Sequence, residues 1–201
     1  MWFSAFDGIY QYDGTNVKRY INIPGDSTSP KREMVKAMAG SDRLWVGYKN
    51  GISEFNYNTF AFKKIAIFNG MDILKIVPAP DKNIYVVTKA GLVCYCPKTG
   101  ETLPLATASD TATFNILKHP FQDMFLKGNK LFMQSGSQIV IYDFRARKAV
   151  VIEMNNITLS ADRLIVDSKN NFWVTEKNVF KLFRISSDGK QVENMNWLMS
   201  P

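Results

Sequence analysis

Histidine is nearly absent from this chain of 201 residues, which has His119 alone, and the only cysteines are Cys94 and Cys96. A metal site of nitrogen and sulfur ligands needs about three protein donors, so no metal is expected and no cofactor is implied. The two cysteines stand two apart on one strand, near the upper limit for a disulfide bridge, and read as small packing residues. No uncharged apolar run approaches the roughly 18–20 residues that span a bilayer, and the N-terminus has no signal-peptide pattern. The chain itself therefore reads as soluble, with any signal or membrane segment expected outside it. Lys and Arg outnumber Asp and Glu by 25 to 18, a formal charge of +7. Yet no basic run exceeds two residues, as in Lys18-Arg19, Lys31-Arg32, Lys63-Lys64 and Arg147-Lys148. Nucleic-acid binders concentrate positive charge so that several phosphates are neutralised together, and no nucleic acid is expected as a partner here. A glycine-rich phosphate loop following a strand is also missing.

What the chain does have is a repeat. Trp2, Trp45, Tyr85, Phe132 and Trp173 each stand within a similar apolar tetrapeptide, at successive intervals of 43, 40, 47 and 41 residues. Six residues after the first three stand Gly8, Gly51 and Gly91, each opening a short strand: Ile9-Tyr10-Gln11-Tyr12, Ile52-Ser53-Glu54-Phe55 and Leu92-Val93-Cys94-Tyr95. Two further copies read Ile139-Val140-Ile141-Tyr142 and Val179-Phe180-Lys181-Leu182, with Gln138 and Asn178 in the glycine slot, the last copy one residue shorter. The glycines are expected in one turn, at positive φ, between the second and third strands. An apolar stretch precedes each of the last four aromatics, and polar turns such as Asp13-Gly14-Thr15-Asn16, Asn56-Tyr57-Asn58-Thr59, Pro97-Lys98-Thr99-Gly100 and Ser187-Asp188-Gly189 lead to a fourth strand. Four short strands per period, with no helical stretch between them, predict an all-β fold: a β-propeller of four-stranded antiparallel blades. The whole chain, 1–201, is expected to be a single propeller segment of about five repeats, approximately 1–33, 34–71, 72–120, 121–160 and 161–201. The repeat aromatics are expected to pack neighbouring blades together.

The string Trp2 to Gly14, with Val17 and Tyr20, resembles the two-component regulator propeller repeat: aromatic, small residues, Gly and an aliphatic, then Tyr-Asp-Gly and an aromatic. Leu44-Trp45-Val46-Gly47 with Gly51-Ile52 and Phe55-Asn56 is similar to a second copy, and Asp26-Ser27-Thr28-Ser29 resembles the polar connection after the first. The resemblance covers the chain with declining specificity toward its C-terminal end. It implies an extracytoplasmic (periplasmic) sensor region of a membrane-anchored hybrid two-component histidine kinase, working in a phosphorelay and responding to polysaccharide-derived ligands. The kinase would lie outside this chain. Trp2 sits on what the other copies use as their second strand, so the first blade is expected to lack its innermost strand unless Trp197-Leu198-Met199 supplies it. An incomplete segment of a larger propeller follows, with the remaining blades or domains of the same protein and an oligosaccharide as partners. Its open edges predict self-association, and weak glycan binding by this segment alone.

No catalytic residue is assigned, and the ligand-binding residues are left unknown. Trp197, Phe121 and His119 fall outside the repeat register and are the candidates for an exposed contact, with loop packing as the plainer reading of each. The alternative to a sensor is a propeller enzyme acting on polysaccharide, a lyase or glycosidase whose carboxylates assemble across blades. Asp72, Asp110 and Asp123 on rim loops would then be the acidic residues to consider first.

Overall fold

A computed structural model of the chain describes residues 1–5, 7–40, 43–154, 161–176 and 181–196. The polypeptide is all-β and follows one pattern: short strands linked by tight turns into antiparallel sheets whose strand order is the chain order. The first sheet has three strands, β1 (Trp2–Ala5), β2 (Gly8–Tyr12) and β3 (Val17–Tyr20). The other four sheets have four strands each: β4–β7 (Ala37–Gly40, Leu44–Tyr48, Gly51–Asn56, Ala61–Ile65), β8–β11 (Ile73–Pro78, Ile84–Thr88, Gly91–Cys96, Glu101–Leu103), β12–β15 (Asp123–Lys127, Lys130–Ser135, Gln138–Asp143, Lys148–Glu153) and β16–β19 (Ala161–Val166, Phe172–Glu176, Lys181–Ile185, Val192–Asn194). Trp197-Leu198-Met199, expected as a possible closing strand, lies outside the described residues. By its contacts the chain divides into two compact units, 1–78 and 79–201.

Register shows how the repeat is built. The aromatics pair with third-strand residues nine positions on in four sheets: Trp2 with Gln11, Trp45 with Glu54, Tyr85 with Cys94, Phe132 with Ile141. In the fifth, Trp173 pairs with Arg184, eleven positions on. That hairpin is therefore two residues longer than the others, where the sequence pattern had suggested one residue shorter. The described part of its third strand is Lys181–Ile185; Asn178, Val179 and Phe180, which the pattern placed at its start, lie outside the described residues. Alternation along Leu182, Phe183 and Ile185 misled because all are apolar, so periodicity did not fix the phase.

Gly51 and Gly91 do occupy the expected turn, at φ +125° and +118°. Gly8 opens β2 in the same register, paired with Ala5, but without a positive φ. A different constraint is common to all three. A Cβ on Gly8 would stand 2.6 Å from the Tyr20 carbonyl oxygen, on Gly51 2.9 Å from that of Phe68, and on Gly91 2.5 Å from that of Leu117. In each repeat, backbone that follows or ends the fourth strand passes directly over the turn, leaving no room for a side chain. The fourth copy manages with Gln138 because its positive φ moves into the turn itself, to Gly136 at +57°.

Within the first unit, Ile9 and Tyr20 of the first sheet pack with Leu44, Val46, Tyr48, Phe55 and Phe62 of the second. Trp2 lies edge-on to Phe55 at 5.0 Å and tilted against Tyr20 at 5.5 Å. In the second unit, Tyr85 stacks on Phe144 at 4.6 Å, and Phe132 meets Phe172 at 6.0 Å. Three of the five repeat aromatics, Trp2, Tyr85 and Phe132, thus join neighbouring sheets as expected, each such pair adding roughly 0.5–1.5 kcal/mol beyond its buried area. Contrary to the expectation of none, one connection contains a helix, α1 (Thr111–Leu117), and another a 3-10 turn at Ala66–Phe68.

Candidate functional site

The residues singled out from sequence have defined places, and most of those places are structural. Asp110 caps α1, accepting from the Thr113 amide at 2.9 Å and its hydroxyl at 2.8 Å. Asp123 is buried and accepts from the Leu164 amide at 2.8 Å, tying the fourth sheet to the fifth. Asp72 forms an ion pair with Lys36 at 2.5 Å. Phe121 is 1% exposed and belongs to the core, because the chain turns inward after the exposed Lys118, His119 and Pro120. His119 is exposed, as expected for a loop residue, whereas Trp197 lies outside the described residues. Burial pushes the Cys94 thiol up to about 11, while the Thr99 amide lowers that of Cys96. Among the described residues, no three of His, Cys, Asp and Glu gather as a metal site would require. None of the described helices is long and apolar enough to cross a membrane.

A cleft in the first unit arises from a feature that does not follow the repeat. Between β3 and β4 the chain makes a long polar connection, and its local hydrogen bonds explain its fixed course. Asp26 accepts from the Thr28 amide at 2.8 Å and hydroxyl at 2.6 Å, an Asx turn that bends the chain. Ser29 is buried, its hydroxyl donating to the Asp26 carbonyl at 2.9 Å and accepting from the Ile23 amide at 3.0 Å. Asn22 donates to the Pro30 carbonyl at 2.9 Å. The Phe62 amide donates to the Thr28 carbonyl at 2.7 Å, pinning the connection to the outer strand β7.

Between this connection and the β1–β2 turn lies a cleft of about 530 Å³, a volume in the range of small-molecule sites. Ile9, Ile21, Pro24, Pro30 and Val35 supply its apolar walls, and Asp7, Arg19, Lys31, Arg32 and Glu33 its charges. Asp7 pairs with Arg19 at 2.6 Å and accepts from the Tyr10 hydroxyl at 2.7 Å; that hydroxyl, and then Arg19, hold its carboxyl below the usual range. Lys31 donates to the Asn50 carbonyl at 2.6 Å, and Glu33 accepts from the Asn50 amide at 3.2 Å, so both are anchored on the β5–β6 turn. Burial lowers the Lys31 pKa. Chemically the cleft can hold a ring-sized polar ligand against apolar walls and present cations to it. Sequence reasoning missed it because Lys18-Arg19 and Lys31-Arg32 read as scattered surface charge. The available signal was position: both pairs flank the one connection that resembled a family loop.

No family model matches the chain, and no curated protein sequence matches it. Solved structures do. The extracellular domain of the hybrid two component system protein BT3049 from B. thetaiotaomicron superposes with a TM-score of 0.69 at 14% identity, over 98% of this chain and 28% of that one. The corresponding domain of BT4673 from the same organism gives 0.63 at 17% identity, over 96% and 31%. Virginiamycin B lyase from Staphylococcus aureus gives 0.60 at 14% identity, over 87% and 57%. The chain thus spans about a quarter to a third of the two extracellular domains. These likenesses establish the β-propeller fold, and two of the three proteins are two-component extracellular domains, in agreement with the repeat resemblance.

Proposed function

We propose that this chain is a ligand-sensing propeller segment on the extracytoplasmic side of a membrane-anchored hybrid two-component regulator, responding to polysaccharide-derived ligands. The observation that carries the reading is the likeness to the BT3049 extracellular domain over 98% of the chain. The repeat pattern of Trp2 to Tyr20 and the cleft beside it support it independently, since propellers bind ligands with loops rather than with blade strands. A segment of this kind alters a partner's state by binding, so it needs a shaped cleft and no reactive group. The alternative, an enzyme acting on polysaccharide, needs carboxylates assembled across blades, with Asp72, Asp110 and Asp123 as the acidic residues considered first. An ion pair, a helix cap and a buried sheet tie now occupy those three carboxylates.

The test is made in the source cell with the complete gene. Cells are grown on single polysaccharides, and transcription of the genes that respond is compared between the intact gene and one with this segment deleted. Loss of the response to one polysaccharide, with the protein accessible to protease added outside the inner membrane, is expected. Unchanged responses, or a protein protected from external protease, would contradict the reading.

A further inference from the structure

We infer that the cleft between the β1–β2 turn and the β3–β4 connection takes the carboxylate of an acidic saccharide, with the Arg32 guanidinium as its ion-pairing group and Lys31, which also lines the cleft, as a second cation. This rests on the reading of the ligand as a saccharide and specifies its chemistry.

The charges of the cleft are unequally occupied. Arg19 is held by Asp7 at 2.6 Å, and Lys36, the next cation after Arg32 and outside the lining of the cleft, is held by Asp72 at 2.5 Å. Glu33 is engaged with the Asn50 amide. Arg32 is exposed, lines the cleft, and makes no hydrogen bond or ion pair among the described residues. Lys31 is partly buried and gives the Asn50 carbonyl one of its three protons, leaving donors to spare. A partly desolvated ammonium is relieved by an anion brought beside it, and burial lowers the Lys31 pKa. A guanidinium next to that ammonium matches a carboxylate, because its planar fork donates two parallel hydrogen bonds to the two oxygens.

The walls decide what carries the carboxylate. Ile9, Ile21, Pro24, Pro30 and Val35 offer aliphatic surface, suited to the C–H faces of a pyranose ring. Among the described residues, no aromatic side chain lines the cleft to stack a nucleic-acid base. The volume of about 530 Å³ admits more than a bare anion. An uronic acid residue within an oligosaccharide combines ring, hydroxyls and carboxylate in one unit of that size.

The experiment is a residue-resolved NMR titration of the 201-residue chain, which reads millimolar affinities and locates the site. Three probes are used: trigalacturonate, the same trisaccharide with its carboxyl groups reduced to alcohols, and sodium sulfate. Amide shifts at Arg19, Asn22 and Lys31 to Val35 on adding trigalacturonate are expected, with at least roughly tenfold tighter binding than of the reduced sugar, weakening as salt is added. Arg32→Gln, at an exposed position, should lose most of that tenfold; Lys190→Gln, at another exposed position, should lose none. Equal binding of the two sugars at these residues would overturn the inference and leave saccharide sensing standing. Sulfate binding as tightly as trigalacturonate would also overturn it, since an anion alone would suffice. Failure of every saccharide to shift the cleft amides at millimolar concentration would count against both the inference and the assignment of the sensing site to this cleft.

Discussion

Asp167 shows how much one side chain can organise in a repeat. Its two carboxylate oxygens accept from the Trp173 indole at 3.0 Å, the Asn171 amide group at 3.0 Å, and the Lys169 and Asn171 backbone amides at 2.9 Å each. Asp81 does the same two sheets earlier, accepting from the Tyr85 hydroxyl and the Asn83 side chain at 3.0 Å. Trp173 first, then Asn171, holds the Asp167 carboxyl down to about 2. A folded-state pKa below the ordinary carboxylate value of about 3.9 stabilises the fold above that value, and the contribution is lost as pH falls toward about 2. Asp167→Asn should therefore lower the urea midpoint at pH 6, and the gap from the parent chain should shrink by pH 2.5. A gap that stays constant would show that the charge is not what matters. The sequence displayed both aspartates within polar turns and both aromatics on the following strands. Their pairing was not legible, because the separations are four and six residues and only the folded hairpin makes them equivalent. Phe121 and Asp123 were opaque for a related reason: burial depends on where the connection after α1 re-enters the sheet, and no periodicity records that.

At the scale of the element, the hairpin between second and third strands is the unit that recurs, and two separate demands meet at its glycine. Gly91 combines φ +118° with a Leu117 carbonyl oxygen 2.5 Å from any added Cβ, whereas Gly100, at φ +77°, has nothing within 4 Å. Gly100→Ala should cost about 1 kcal/mol from backbone strain alone. Gly91→Ala should cost about 3 kcal/mol, the excess being the displaced connection, and should lower Tm by several degrees more. Equal losses in the two variants would mean that the connection does not press on the turn. This much of the fold was readable because glycine, aromatic and turn recur in fixed order, and recurrence is a stronger signal than any local propensity. The helix was not readable. Thr111–Leu117 is a seven-residue insertion fixed by the Asp110 cap and by Thr113, whose hydroxyl accepts from the Ala149 amide at 3.2 Å, a contact only the fold creates.

For the whole molecule the question is what the first sheet's outer edge does. No described strand pairs with the free side of β1, while every other described sheet has four strands. Met1 and Tyr12 exchange hydrogen bonds at 2.8 and 2.6 Å, so by antiparallel alternation Phe3 and Ala5 also bond inward to β2 and the amides of Trp2 and Ser4 point outward. Such an edge is a template for another strand, and concentration-dependent self-association through it is expected. Ser4→Pro removes one outward donor without touching the β1–β2 ladder, so sedimentation equilibrium should show the variant closer to monomer than the parent chain. Equal association would place the contact elsewhere. Five successive blade sheets, the first with no described strand on the free side of β1, define the molecule, and residue-resolved amide exchange reads them directly. Protection should peak five times, at the second and third strands of each sheet, with Phe3 protected and Ser4 not. Protection confined to part of the chain, or without recurrence at the repeat spacing, would contradict it.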